Sequence, residues 1–203
     1  MKIKNQLIAI LLASAAVVSL SNCGGKKEET SHEGHEMPAA TEEKAPAASA
    51  PQFAVDAAFQ KQLSAVFTSY VTLKEAFVAT DAAKVKAEAA TVASSLTATD
   101  MKLLTGAAHN DWMTYSGAMD AALKEIQATD DIEAQRTAFK NLSDNLYKSI
   151  KAYGLGGVTA YYEYCPMAFN DTGAYWLSDN STIRNPYFGD KMLSCGSVEE
   201  TLN

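Results

Sequence analysis

Between Val55 and Val78 the apolar residues Phe59, Leu63, Val66, Phe67, Tyr70 and Phe77 recur at steps of three and four. That spacing gathers them on one face of an α-helix, predicted over about 55–79. Thr80 and Asp81 offer capping oxygens for a second, alanine-rich helix ending near Leu96, and Thr99 or Asp100 for a third over 101–127. Asp130 with Glu133 has capping-box spacing, and Ile132, Phe139, Leu142, Leu146, Ile150 and Tyr153 then form the apolar stripe of a fourth helix, stopped by Gly154, Gly156 and Gly157. Short connections make neighbours antiparallel, so the expected architecture is a mainly α, four-helix up-and-down bundle.

Past the glycines the pattern becomes aromatic and irregular. Two short strands, around 160–169 and 174–177, flank Asn170-Asp171-Thr172-Gly173, which reads as a β-hairpin within an irregular C-terminal segment. Arg184 and Asp190 are expected to pair around Asn185-Pro186-Tyr187-Phe188-Gly189, with Trp176, Tyr187 and Phe188 packing over the end of the bundle.

The start of the chain reads differently. Lys2 and Lys4 precede an apolar run, Leu7 to Val18, too short for a lasting membrane span. Leu20-Ser21-Asn22-Cys23 then resembles the lipobox of bacterial lipoproteins, with Asn22 where that pattern has a small residue. The resemblance implies a signal peptide over 1–22, acylation of Cys23, and a membrane anchor facing the periplasm, at the outer membrane before the inner. Residues 23–51 are rich in Lys, Glu, Ala, Ser, Thr and Pro and read as a flexible tether, leaving 52–203 as a single helical domain. Within the tether, His32, His35 and Met37 make a loose metal-capture group whose other reading is plain solvated linker.

The formal net charge of -7 gives no broad positive field for a polyanion and argues against a nucleic-acid partner. No phosphate loop, dinucleotide fingerprint, His-Glu-x-x-His or nucleophile elbow occurs, and His109 is the single histidine beyond the tether. Binding is therefore expected rather than enzymatic catalysis.

The candidate chemistry is sulfur. Cys165-Pro166-Met167 and Met192-Leu193-Ser194-Cys195 form two thiol and thioether pairs, to which His109 could add a nitrogen. Thiolate and thioether favour cuprous copper. Three readings stay open: a structural disulfide between Cys165 and Cys195, a soft-metal site, or inert thiols with core methionines.

Cys-Pro-Met, Trp176-Leu177, Asn185-Pro186-Tyr187-Phe188-Gly189 and Met192 to Gly196 together resemble a family of uncharacterised periplasmic domains. That family occurs in Bacteroidetes-type lipoproteins and appended to the adaptor, or membrane-fusion, subunits of heavy-metal efflux pumps. The resemblance, over about 53–202, implies a helical domain that handles copper or a related metal, an efflux-pump adaptor as partner, and no enzyme activity. Its rival is an envelope interaction module stapled by Cys165 and Cys195 and binding no metal.

Overall fold

The computed structural model describes residues 50–203; the expected signal peptide over 1–22, Cys23, His32, His35 and Met37 lie outside them. Four long helices, α1 (Ala57–Val78), α2 (Ala82–Thr97), α3 (Gly106–Gln127) and α4 (Ile132–Tyr153), precede three strands, β1 (Ala160–Cys165), β2 (Ala174–Ser178) and β3 (Ser197–Leu202). The fold is mainly helical with a small antiparallel sheet.

Aspartates start most of the helices. The Asp56 carboxylate accepts from the Ala58 N–H, Asp81 from Lys84 and Asp131 from Glu133, each satisfying an amide left over in the first turn. The cap of α4 is thus one residue later than its sequence spacing suggests, because Asp130 is turned outward to pair with Lys86 at 2.8 Å. The third helix is also shorter than expected. An Asp100-capped 3-10 turn, Met101–Leu103, ends at buried, extended Leu104, and Gly106 at φ +57° opens α3.

Sequential helices pack against one another, and the sheet lies against α4 and α1 through β2. Phe59, Trp112 and Tyr153 interlock edge to face at one end of the bundle, with Phe59 centred 5.1 Å from each partner. Nearer the other end Phe139 packs on Tyr70 and Phe77. Burying each such ring contributes roughly 1.5–3 kcal/mol, so these two clusters supply much of the bundle's cohesion.

β1 is the central strand, in the order β2-β1-β3. The predicted hairpin is β1 with β2; β3 returns antiparallel on the other side, an element that its Ser-Val-Glu-Glu-Thr-Leu pattern did not announce. A bulge between Tyr162 and Glu163 shifts the β1–β3 register. Tyr147 of α4 stacks on Tyr162, and Tyr162 on Tyr175, at 3.8 and 4.6 Å, joining the sheet to the bundle.

The 179–196 loop departs from expectation at one residue pair. Arg184 does not meet Asp190; its guanidinium reaches Glu75 of α1, with Nη2 at 2.9 Å and Nε at 3.0 Å. The turn is organised instead by Asn185, fully buried, whose side chain accepts from the Tyr187 N–H and donates to the Cys195 carbonyl. Trp176 and Tyr187 are buried and Phe188 is half-buried, all within the packing.

Candidate functional site

Cys165 ends β1, facing Ala174 of β2, and is fully buried. Cys195 sits at the end of the loop, its N–H bonded to the Met192 carbonyl at 3.0 Å, two residues before Ser197 pairs with Tyr164. Because β3 must align beside β1 there, the loop returns Cys195 to the level of Cys165, and the two sulfurs lie 2.9 Å apart as free thiols. Gly196 permits the approach: at φ +147° it lies so close to the Trp176 ring and the Tyr164 carbonyl that a Cβ would stand 2.8 Å from each. The hydrogen bond with Cys165, helped by partial burial, pushes the Cys195 thiol up to about 11.

The thioethers border a common cavity nearby. Met167, nearly half exposed, and Met192 line one cavity of about 470 Å³, together with Phe169, Phe188, Glu133 and Arg136. Its wall contains three consecutive non-glycine residues in the left-handed region, Phe169, Asn170 and Asp171 at φ +53°, +55° and +62°. Such a run is energetically costly and is held only by its surroundings; here the Gly173 N–H bonds back to the Ala168 carbonyl, and the Phe169 ring meets Tyr187 edge on. Arg136 anchors the floor, donating to the Pro186 and Phe77 carbonyls, to the Thr80 hydroxyl and to Glu133.

His109 is not in this group. It follows Ala108, whose carbonyl accepts from the Tyr153 hydroxyl at the far end of α4, whereas the methionine cavity lies against the first turns of that helix. Between Tyr153 and the Glu133, Arg136 and Thr137 that line the cavity lie sixteen to twenty residues of helix, about 24–30 Å. The imidazole faces the Met101 carbonyl at 3.4 Å on an exposed corner. The structure therefore gathers Cys165 with Cys195 and Met167 with Met192, and leaves His109 apart.

A second polar group lies beside the sulfurs. Glu163 precedes Cys165 by two residues on the same face of β1, is fully buried, and neither of its carboxylate oxygens has a hydrogen-bond partner among the described residues. Burial pushes its carboxyl up to about 8, against the pull of Lys74 and the nearby indole N–H of Trp176, which itself stops short of bonding geometry. Lys74, also buried, directs its ammonium to Glu75 at 2.8 Å and the Ser178 hydroxyl at 3.2 Å. Burial alone would raise Glu75, but bonds from Arg184 and Lys74 outweigh it and hold the carboxyl below its ordinary range. The sequence carried a trace of this cluster: Lys74 occupies the apolar stripe four residues after Tyr70, and Glu163 lies between two tyrosines of a buried strand.

Among the described residues no group of three or more His, Cys, Asp or Glu side chains could hold a metal ion. Any metal chemistry here rests on the two thiols and the two thioethers, a soft donor set.

No curated protein and no solved structure matches the chain. Residues 66–156 match the model of a family described as "Protein of unknown function (DUF3347)". The matched stretch runs from within α1 to the glycines after α4 and contains His109, whereas all four sulfur residues lie beyond it. The helical body is thus similar to an uncharacterised domain family, and the sheet with its sulfur pairs lies outside the matched residues.

Proposed function

We propose that this protein binds a soft metal ion, cuprous copper first, as a lipid-anchored protein of the periplasmic face that supports a heavy-metal efflux system. The observation that carries the reading is the convergence of two distant segments, each bearing one thiol and one thioether: the thiols touch, and the thioethers share a cavity. These donors fit the ion, since soft sulfur ligands favour Cu(I) over harder cations that prefer oxygen. Seating an ion between the thiols requires the sulfurs to part, which rotation of the half-buried Cys195 side chain supplies while the loop backbone stays held. Met167, on the exposed rim, is positioned to meet an arriving ion. The export signal, the Cys23 lipobox and the family resemblance support the location and the efflux partner.

The second reading is an envelope interaction module in which Cys165 and Cys195 form a disulfide and no metal binds. Direct contact between the sulfurs favours it. Titrating Cu(I) into the reduced protein against a chromophoric chelator separates the two. One ion held tightly by the parent and lost in Cys195→Ser establishes the metal site. Equal copper retention by parent and variant puts the ion away from the thiols and overturns the sulfur site, and no retention by either leaves the stapled module.

A further inference from the structure

We infer that Cys165 and Cys195 form an exchange-active thiol pair with fixed roles, Cys195 receiving a small-molecule disulfide and Cys165 resolving it. As regulation of the sulfur site, the inference rests on the metal reading only for its consequence: the oxidised pair has no thiolate left to offer an ion.

Burial sets the roles. Cys165 is fully enclosed in the central strand, so an external disulfide has no path to its sulfur, whereas Cys195 is only half-buried on the loop. Exchange needs access for the incoming sulfur and, in the second step, a thiol already aligned with the one attacked. The 2.9 Å contact supplies that alignment.

The alignment does not depend on a covalent bond. Asn185 holds the Cys195 carbonyl at 2.8 Å, the Met192 carbonyl holds its N–H, Gly196 is wedged against Trp176, and Ser197 pairs with Tyr164. These contacts hold the loop in place with no covalent bond between the sulfurs. This arrangement suits a pair that cycles.

In the first step Cys195 gives its proton to solvent base and the small thiolate fraction so formed attacks one sulfur of R–S–S–R, forming Cys195–S–S–R and expelling one RS⁻, which takes up a proton in its turn. The Cys165 sulfur then attacks Cys195 Sγ, closing the Cys165–Cys195 bond and expelling the second RS⁻, which takes the proton of Cys165. Two cysteine thiols lose two electrons, and one small disulfide becomes two thiols.

The test uses the reduced full chain with chelator present, treated with oxidised glutathione and followed by peptide mass mapping. The parent should close the Cys165–Cys195 bond with no lasting adduct. Cys165→Ser should accumulate glutathione on Cys195, and Cys195→Ser should modify Cys165 at least about tenfold more slowly. Near-ultraviolet circular dichroism matching the parent verifies each fold, with Cys165→Ala and Cys195→Ala in reserve. Similar adduct rates on both cysteines, or a parent that retains its adduct, would overturn the inference. Because metal is absent throughout, these outcomes stand apart from the copper titration.

Discussion

The hydroxyls of Tyr70 and Ser143 meet 2.7 Å apart inside the protein, and the tyrosine oxygen also accepts the Leu177 N–H at 3.2 Å. One phenol thus joins α1, α4 and β2. Burial pushes its ionisation far above the ordinary tyrosine range, so it remains a neutral donor and acceptor. Tyr70→Phe keeps the ring but strands a buried amide, and is expected to cost about 1–3 kcal/mol. Ser143→Ala should cost less, since it leaves Tyr70 bonded to Leu177. Urea unfolding of both variants checks the order; equal losses would refute the junction.

Glu163 sets a pH dependence. Its carboxyl rises from the ordinary 4.5 to about 8 in the folded protein, so between those values the native state holds a proton that the unfolded chain has released. Stability attributable to this group is therefore greatest below about 4.5, falls as pH rises toward about 8, and is level above. Glu163→Gln, uncharged throughout, should flatten that fall and stabilise the protein at neutral pH. Thermal unfolding from pH 5 to 8.5 reads the difference; parallel curves would show that Glu163 ionises normally.

Two glycines should respond oppositely. A methyl at Gly173, where φ is +81°, would stand 2.1 Å from the Tyr164 hydroxyl, so Gly173→Ala should cost about 2 kcal/mol or more. Gly117 lies within α3 with nothing within 4 Å of its missing Cβ, and Gly117→Ala should gain about 0.5–1 kcal/mol. Paired denaturant curves test both signs.

For copper, the placement of His109 has a direct consequence. His109→Ala should leave Cu(I) affinity unchanged, whereas Met167→Leu with Met192→Leu should weaken it about 10–100-fold if the thioethers assist the thiols. The chelator competition described above measures each variant. A loss on removing His109 would contradict the separation of the two ends.

The helices were legible because their cores obey a simple period: Phe59, Leu63, Val66, Phe67 and Tyr70 repeat at helical steps and are all buried. The hairpin was legible from its aromatic strands and turn residues. β3 was not, because Val198 and Glu200 lie beside β1 through long-range pairing that no local pattern encodes. The Arg184 partner was missed for the same reason: Glu75 is distant in sequence and Asp190 is near. The sulfur residues were identifiable by type, but their grouping depended on the loop, and Lys74 and Glu163 left only the trace of a charge in an apolar stripe, because buried charges imitate surface ones in a one-dimensional text.

The loop that carries Cys195 is fastened at Arg184 to a helix, at Asn185 within itself, and at Gly196 to the sheet. A segment tied at so many points conveys little by shape. If the proposed pair oxidises, the contacts that hold the loop do not include the sulfurs themselves, so an ion, a small disulfide or a docking protein would meet nearly the same outline before and after. Discrimination between the two states would then fall to the valence of two atoms, read chemically at the surface of Cys195.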